Sequence, residues 1–188
     1  MSERNTLVRS MHDLGLAAWF GGSLMGAVGL NGAAARANDP RERLTIASAG
    51  WARWMPVQLG ALVAHGVGGI GLILANRSRL RAQTESRTNT IVKIAVTVAA
   101  LGTTLYSGVV GKKIAEHSNE GGKGVTEPGF GASAELESAQ AQEKYLQWAT
   151  PVLTAVLIVL AAQQGEQQRP LAGLLQSKLN ELMNHRSR

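Results

Sequence analysis

The sequence predicts an all-α protein: a bundle of four transmembrane helices with a C-terminal amphipathic helix and both termini in the cytoplasm. Three observations predict it. Stretches free of Asp, Glu, Lys and Arg occur at 14–35, 55–76, 94–111 and 145–165. Charged residues make up 17% of the chain, against about 25% in ordinary soluble domains. The Lys and Arg residues that bring the net charge to +6 gather at the edges of those stretches.

Three of the four windows reach 21 or 22 residues, and the third has 18 and follows Lys93. A hydrocarbon core of about 30 Å takes about 20 helical residues. A soluble bundle would show polar residues on its outward faces, whereas "VGGIGLILA" and "TPVLTAVLIVLAA" are apolar nearly all round. The predicted spans are therefore about 14–35, 55–76, 93–111 and 145–165, within a membrane domain of 1–168.

The first window also invites a secretory reading, with Arg4 and Arg9 as a basic start and "AAARA" as a cleavage site. Its apolar part is too long for that, and an uncleaved helix is expected. The connection after the second window carries Arg77, Arg79, Arg81 and Arg87 against Glu85, so it should face the cytoplasm. The connection from Lys112 to Lys144 has four Lys against six Glu, and its 118–144 part reads as a flexible outer loop. Trp51, Trp54, Tyr145 and Trp148 then fall at the outer interface, where amphipathic rings prefer to sit. In the tail, 169–188, Leu171, Leu174, Leu175, Leu179, Leu182 and Met183 share one helical face, the pattern of an amphipathic helix at the cytoplasmic surface.

Small residues recur at helical spacing in the first span (Gly22, Gly26, Gly29, Ala33) and in the second (Ala61, Ala64, Gly68, Gly71, Ala75). Such stripes let another backbone approach closely, so they are assigned to helix packing. They are not nucleotide loops, because "GGSLMG" and "GVGGIG" lack the preceding strand and the following acidic residue. Nucleic acid is not an expected partner either: the basic residues flank apolar segments instead of forming one basic face.

Counted from the window edges, Asn31, Gln58, Tyr106, Ser107 and Gln147 lie at one depth near the outer boundary. They would form an interhelical hydrogen-bond layer or line a small pocket. His65 falls near the middle of the second span, where an ionisable group is a functional candidate. A bis-histidine haem needs a second imidazole at that depth. His12 is expected on the order of 15 Å away along the membrane normal at 1.5 Å per residue. Hence no matched pair is expected, no cofactor is assigned, and haem or copper stays open only as an alternative. A bond from His65 to a backbone carbonyl, or to Thr103 or Thr104, is the structural expectation. No carboxylate falls inside a window, and with no cysteine there is no thiolate chemistry. An enzyme has no catalytic set to work with.

The pattern His12–x6–Trp19–x–Gly21–Gly22 resembles the opening of copper-resistance-D-like membrane domains. That resemblance implies copper handling with His12 and Trp19 as the positions carried over. "GWARWMPVQLGALVAHGVGG" and "LQWATPVLTAVLIVLAAQQGEQQRP" resemble uncharacterised four-helix integral membrane proteins of high-GC Gram-positive bacteria. The expected protein is a non-enzymatic inner-membrane protein, a structural or accessory subunit that associates with itself or with a larger membrane complex. The alternative is a small carrier or a metal- or haem-binding protein centred on His65 and the outer polar layer.

Overall fold

The computed structural model describes residues 5–77 and 84–167, and the amphipathic tail expected at 169–188 lies outside them. The described residues form four long helices and no strand: α1 (Thr6–Ala34), α2 (Pro40–Ala75), α3 (Thr84–Glu116) and α4 (Ala134–Gln167). Each contains a stretch long and apolar enough to cross a membrane. Every helix outruns its uncharged window. The windows mark what a bilayer would tolerate, whereas a helix continues until a capping signal stops it.

Those signals are local. Asp39 caps α2 by accepting from the Arg41 amide at 2.8 Å, with Pro40 at the first helical position, where its missing N–H costs nothing. The sequence 134–144 is rich in Ala, Glu, Gln and Leu, all strong helix formers. Consequently α4 starts at Ala134, and the 134–144 part of the expected outer loop is helix. Near its far end α1 makes one π-helical turn, Gly26–Leu30, whose extra residue precedes the buried Asn31.

α1 lies along α2, α3 lies along α4, and the two hairpins join where α1 meets α4. α2 and α3 touch only sparsely. Glycine governs the first of these contacts. A Cβ on Gly15 would stand 2.5 Å from the His65 nitrogen, and one on Gly68 would stand 2.4 Å from the His12 nitrogen. Farther along, Gly22 and Gly26 receive the indole rings of Trp54 and Trp51, and Gly71 receives Val8. Gly29 is covered by Met25 of its own helix, and Ala64 is half-buried. Gly22, Gly26, Gly68 and Gly71 are thus packed by the facing helix, whereas Ala33 and Ala75 are exposed.

The segment 117–133 folds back onto the start of α2. Arg43 donates to the carbonyls of Ala37 (2.8 Å), Gly122 (3.2 Å) and Lys123 (2.8 Å). The fully buried Gln140 donates to the Val125 carbonyl at 3.1 Å. Ser133 caps α4 by accepting from the Leu136 amide at 3.3 Å, and Glu120 in turn accepts from the Ser133 amide at 2.6 Å and from His117 at 2.7 Å.

Gly68→Ala drives a methyl into the α1 backbone and should destabilise the protein by about 1–3 kcal/mol, the usual cost of overpacking. At Gly60 a Cβ meets nothing within 4 Å, so Gly60→Ala should leave the midpoint unchanged or slightly raised. Thermal unfolding in mild detergent compares the two. A second expectation concerns pH. The Ser133 amide, followed by His117, holds the Glu120 carboxyl below the usual carboxylate range. The charged form is therefore favoured by folding. Its contribution is complete above the ordinary glutamate pKa and is lost as pH falls through the lowered value. Hydrogen-exchange protection of the Ser133 amide should fall over that acidic window, and Glu120→Gln should remove the dependence.

Candidate functional site

Helical spacing puts Arg9, His12, Asp13 and Leu16 on one side of α1, and Thr90, Lys93, Thr97 and Leu101 on one side of α3. The close approach of α1 and α2 adds His65 to this group. The His12 and His65 rings lie 4.2 Å apart between centroids, with planes inclined by 34°. The expectation of a wide separation is corrected here. It assumed that both windows begin in one plane, but α1 starts at Thr6, ahead of its window at 14, and the glycine contacts set the register.

His65 is 5% exposed. Its Nδ1–H donates to the His12 carbonyl at 3.1 Å, since a carbonyl can only accept. In the neutral ring the lone pair then sits on Nε2. The partner is thus the backbone carbonyl of the two kinds expected. Thr104 instead accepts from the indole N–H of Trp19 at 3.0 Å. Trp19, fully buried, meets the His65 ring edge-on at 5.9 Å, so the imidazole is held between Trp19 and His12. His12 Nδ1 bonds the Asp13 carboxylate at 3.0 Å.

These groups wall a cleft of about 760 Å³ to which all four helices contribute. Its size falls within the roughly 300–1,000 Å³ of small-molecule sites. Side chains such as Leu16, Ile70, Ile94, Val98 and Ile158 form its apolar walls, and Arg9, Asp13 and Lys93 supply its charges. Arg9, Asp13, Lys93 and Thr97 were not picked out by sequence reasoning. The only signal that could have found them was polar residues recurring every third or fourth position at the start of two helices.

The polar residues grouped with His65 from the sequence stand elsewhere, in separate networks. Asn31 donates to Gln147 at 3.0 Å and accepts from Trp51 at 3.0 Å, tying α1, α4 and α2 together. Gln58 accepts from Trp54 on its own helix at 2.8 Å. Tyr106 donates to Gln142, and Ser107 donates to Glu143 at 2.7 Å, both between α3 and α4. None of Asn31, Gln58, Tyr106, Ser107 and Gln147 lines the cleft. Glu143 precedes its window by two residues and is buried. Of the family-like motif, His12 and Trp19 flank His65, Gly22 receives Trp54, and Gly21 faces outward with nothing within 4 Å.

Among the described residues no group of three or more His, Cys, Asp or Glu could hold a metal ion. Two imidazoles that share an iron or copper point ring nitrogens at it. Here the rings overlap at a 34° tilt, with His65 Nδ1 bonded to the His12 carbonyl and His12 Nδ1 to Asp13, so the pair as placed does not fit shared haem or copper ligation.

All-helical, with four helices long and apolar enough to cross a bilayer, the chain has the architecture of a multi-pass membrane protein. No protein-family model, no curated protein and no solved structure matches it.

The bond to the His12 carbonyl makes a spectroscopic prediction. Neutral His65 should be the Nδ1–H tautomer, with an unprotonated Nε2 in the ¹⁵N spectrum of histidine-labelled protein. A His65→Gln variant assigns the signal, and an Nε2–H signal would contradict the geometry.

Proposed function

We propose that this is a non-enzymatic, multi-pass protein of the bacterial inner membrane whose work is to bind a small amphipathic molecule in the His12–His65 cleft. Both termini, and with them the mouth of the cleft, face the cytoplasm, on the strength of the arginines that flank the second span. The single observation that carries the reading is the cleft of about 760 Å³, which joins apolar walls from four helices to charged and imidazole groups. Toward the other end of the bundle, polar side chains bond across helices instead, Asn31 with Gln147 and Trp51, and Ser107 with Glu143.

Association with itself or with a larger complex rests on the small-residue stripes and on the apolar face of the tail at 169–188, which lies outside the described residues. The stripe glycines of α1 and α2 now have partners within the chain. Binding is therefore favoured over a purely structural role. The carrier alternative moves from the outer polar layer to the opposite end.

Val98 is 62% exposed and lines the cleft, so Val98→Trp should obstruct it without loss of core packing. Protein extracted from its own membrane in mild detergent should retain one small amphipathic molecule per chain by mass spectrometry. Val98→Trp should retain at least about tenfold less. Empty wild-type protein, or equal retention by the variant, would sink the reading. A Soret band or stoichiometric copper in the same preparation would favour the metal or haem alternative instead.

A further inference from the structure

We propose that the occupant of this cleft is one anionic phospholipid of the surrounding bilayer, seated with its phosphate headgroup at Arg9 and Lys93 and an acyl chain against Leu16, Leu101 and Ile158. The inference rests on the binding reading and adds the chemical class of the ligand.

Polarity in the cleft is graded along one axis. Arg9, Asn76 and Thr90 stand at the end near the N-terminus of α1. One turn deeper come His12, Asp13 and Lys93. Leu16, Leu101 and Ile158 lie at the far end, and no charge lines that end. A molecule that matches this gradient has a polar head and an apolar chain in line.

The sign of the head follows from the charges. Two basic side chains, Arg9 and Lys93, line the cleft with a single carboxylate, Asp13. That carboxylate already accepts from His12 at 3.0 Å and attracts Lys93. The cluster keeps a net positive charge, which a phosphate complements.

The route of entry selects a lipid over a free anion. The cleft runs along the seam between α2 and α3, the loosest contact among neighbouring helices of the bundle. On the α2 side Gly66 and Gly69 present no side chain to the cleft, and Gly66 is exposed. A seam that parts within apolar helices faces hydrocarbon, and acyl chains are the molecules at that depth. Exposed Ile70, Val98 and Ile94 continue the apolar wall to the outside.

The full chain, delipidated in detergent, is titrated with phosphatidylglycerol or phosphatidylcholine and read by native mass spectrometry. Each cation near an anionic headgroup contributes about fivefold, the factor that corresponds to ~1 kcal/mol, so two give a preference of roughly 25-fold for phosphatidylglycerol. The Arg9→Gln/Lys93→Gln variant should bind both lipids alike, at the wild-type phosphatidylcholine level. Arg9→Gln alone alters an exposed side chain and should lower the preference about fivefold, which keeps the test valid if the double variant does not fold. Val98→Trp should bind neither lipid, and excess inorganic phosphate should displace nothing. Equal binding of the two lipids by wild type overturns the anionic class and leaves the cleft reading standing, as does displacement by inorganic phosphate. Undiminished phosphatidylglycerol binding by Val98→Trp overturns the location and the cleft reading together.

Discussion

The backbone-to-backbone approach of α1 and α2 is the contact on which the rest of the structure depends. It occurs twice, at Gly15 against Ala61 and His65, and at Gly68 against Val8 and His12. Inside a bilayer no hydrophobic force draws helices together, so dispersion between closely packed backbones must do so. Any side chain at either glycine would hold the helices apart. With the helices in contact, the His65 Nδ1–H reaches the His12 carbonyl, and the two imidazoles stack. The same register delivers Trp54 and Trp51 onto Gly22 and Gly26. From there the Trp51 indole N–H reaches Asn31, which in turn binds Gln147 of α4.

The two ends of the bundle solve the problem of buried polarity differently. Toward the 117–133 segment, polar side chains pair across helices: Asn31 with Gln147 and Trp51, and Ser107 with Glu143. Each such bond is worth only about 0.6 kcal/mol, but an unpaired partner in hydrocarbon would cost several. Arg43 and Gln140 hold the covering loop by its carbonyls. Toward the N-terminus of α1, α2 and α3 part, and the polar groups border an opening. One end ties its helices together with side-chain bonds, and the other lines a cleft with Arg9, Asp13, Lys93 and the two histidines.

Much of the architecture was legible in the residues. Four uncharged windows of bilayer length announced four helices, but the cap at Asp39–Pro40, well ahead of the second window at 55, was not picked out. Glycines at i, i+4 and i+7 marked α1 as a helix to be approached closely. The helix ends were harder to read. Composition reports where charge begins, whereas a helix stops at a cap, and so α4 extends back to Ala134 and takes Glu143 into the interior. The π-helical turn at Gly26–Leu30 left no trace in the hydrophobic pattern.

By itself the sequence determined local and one-dimensional properties: helix number, apolar length, the smooth faces and the absence of cysteine. Only the tertiary structure decided which residues meet. His12 and His65 carry no mark of each other, because their meeting depends on the axial offset between two helices. Close packing at Gly15 and Gly68 sets that offset, and no periodicity within either helix encodes it. The cleft is likewise a property of the gap between α2 and α3. It follows from how four helices share their contacts and not from the composition of any one of them.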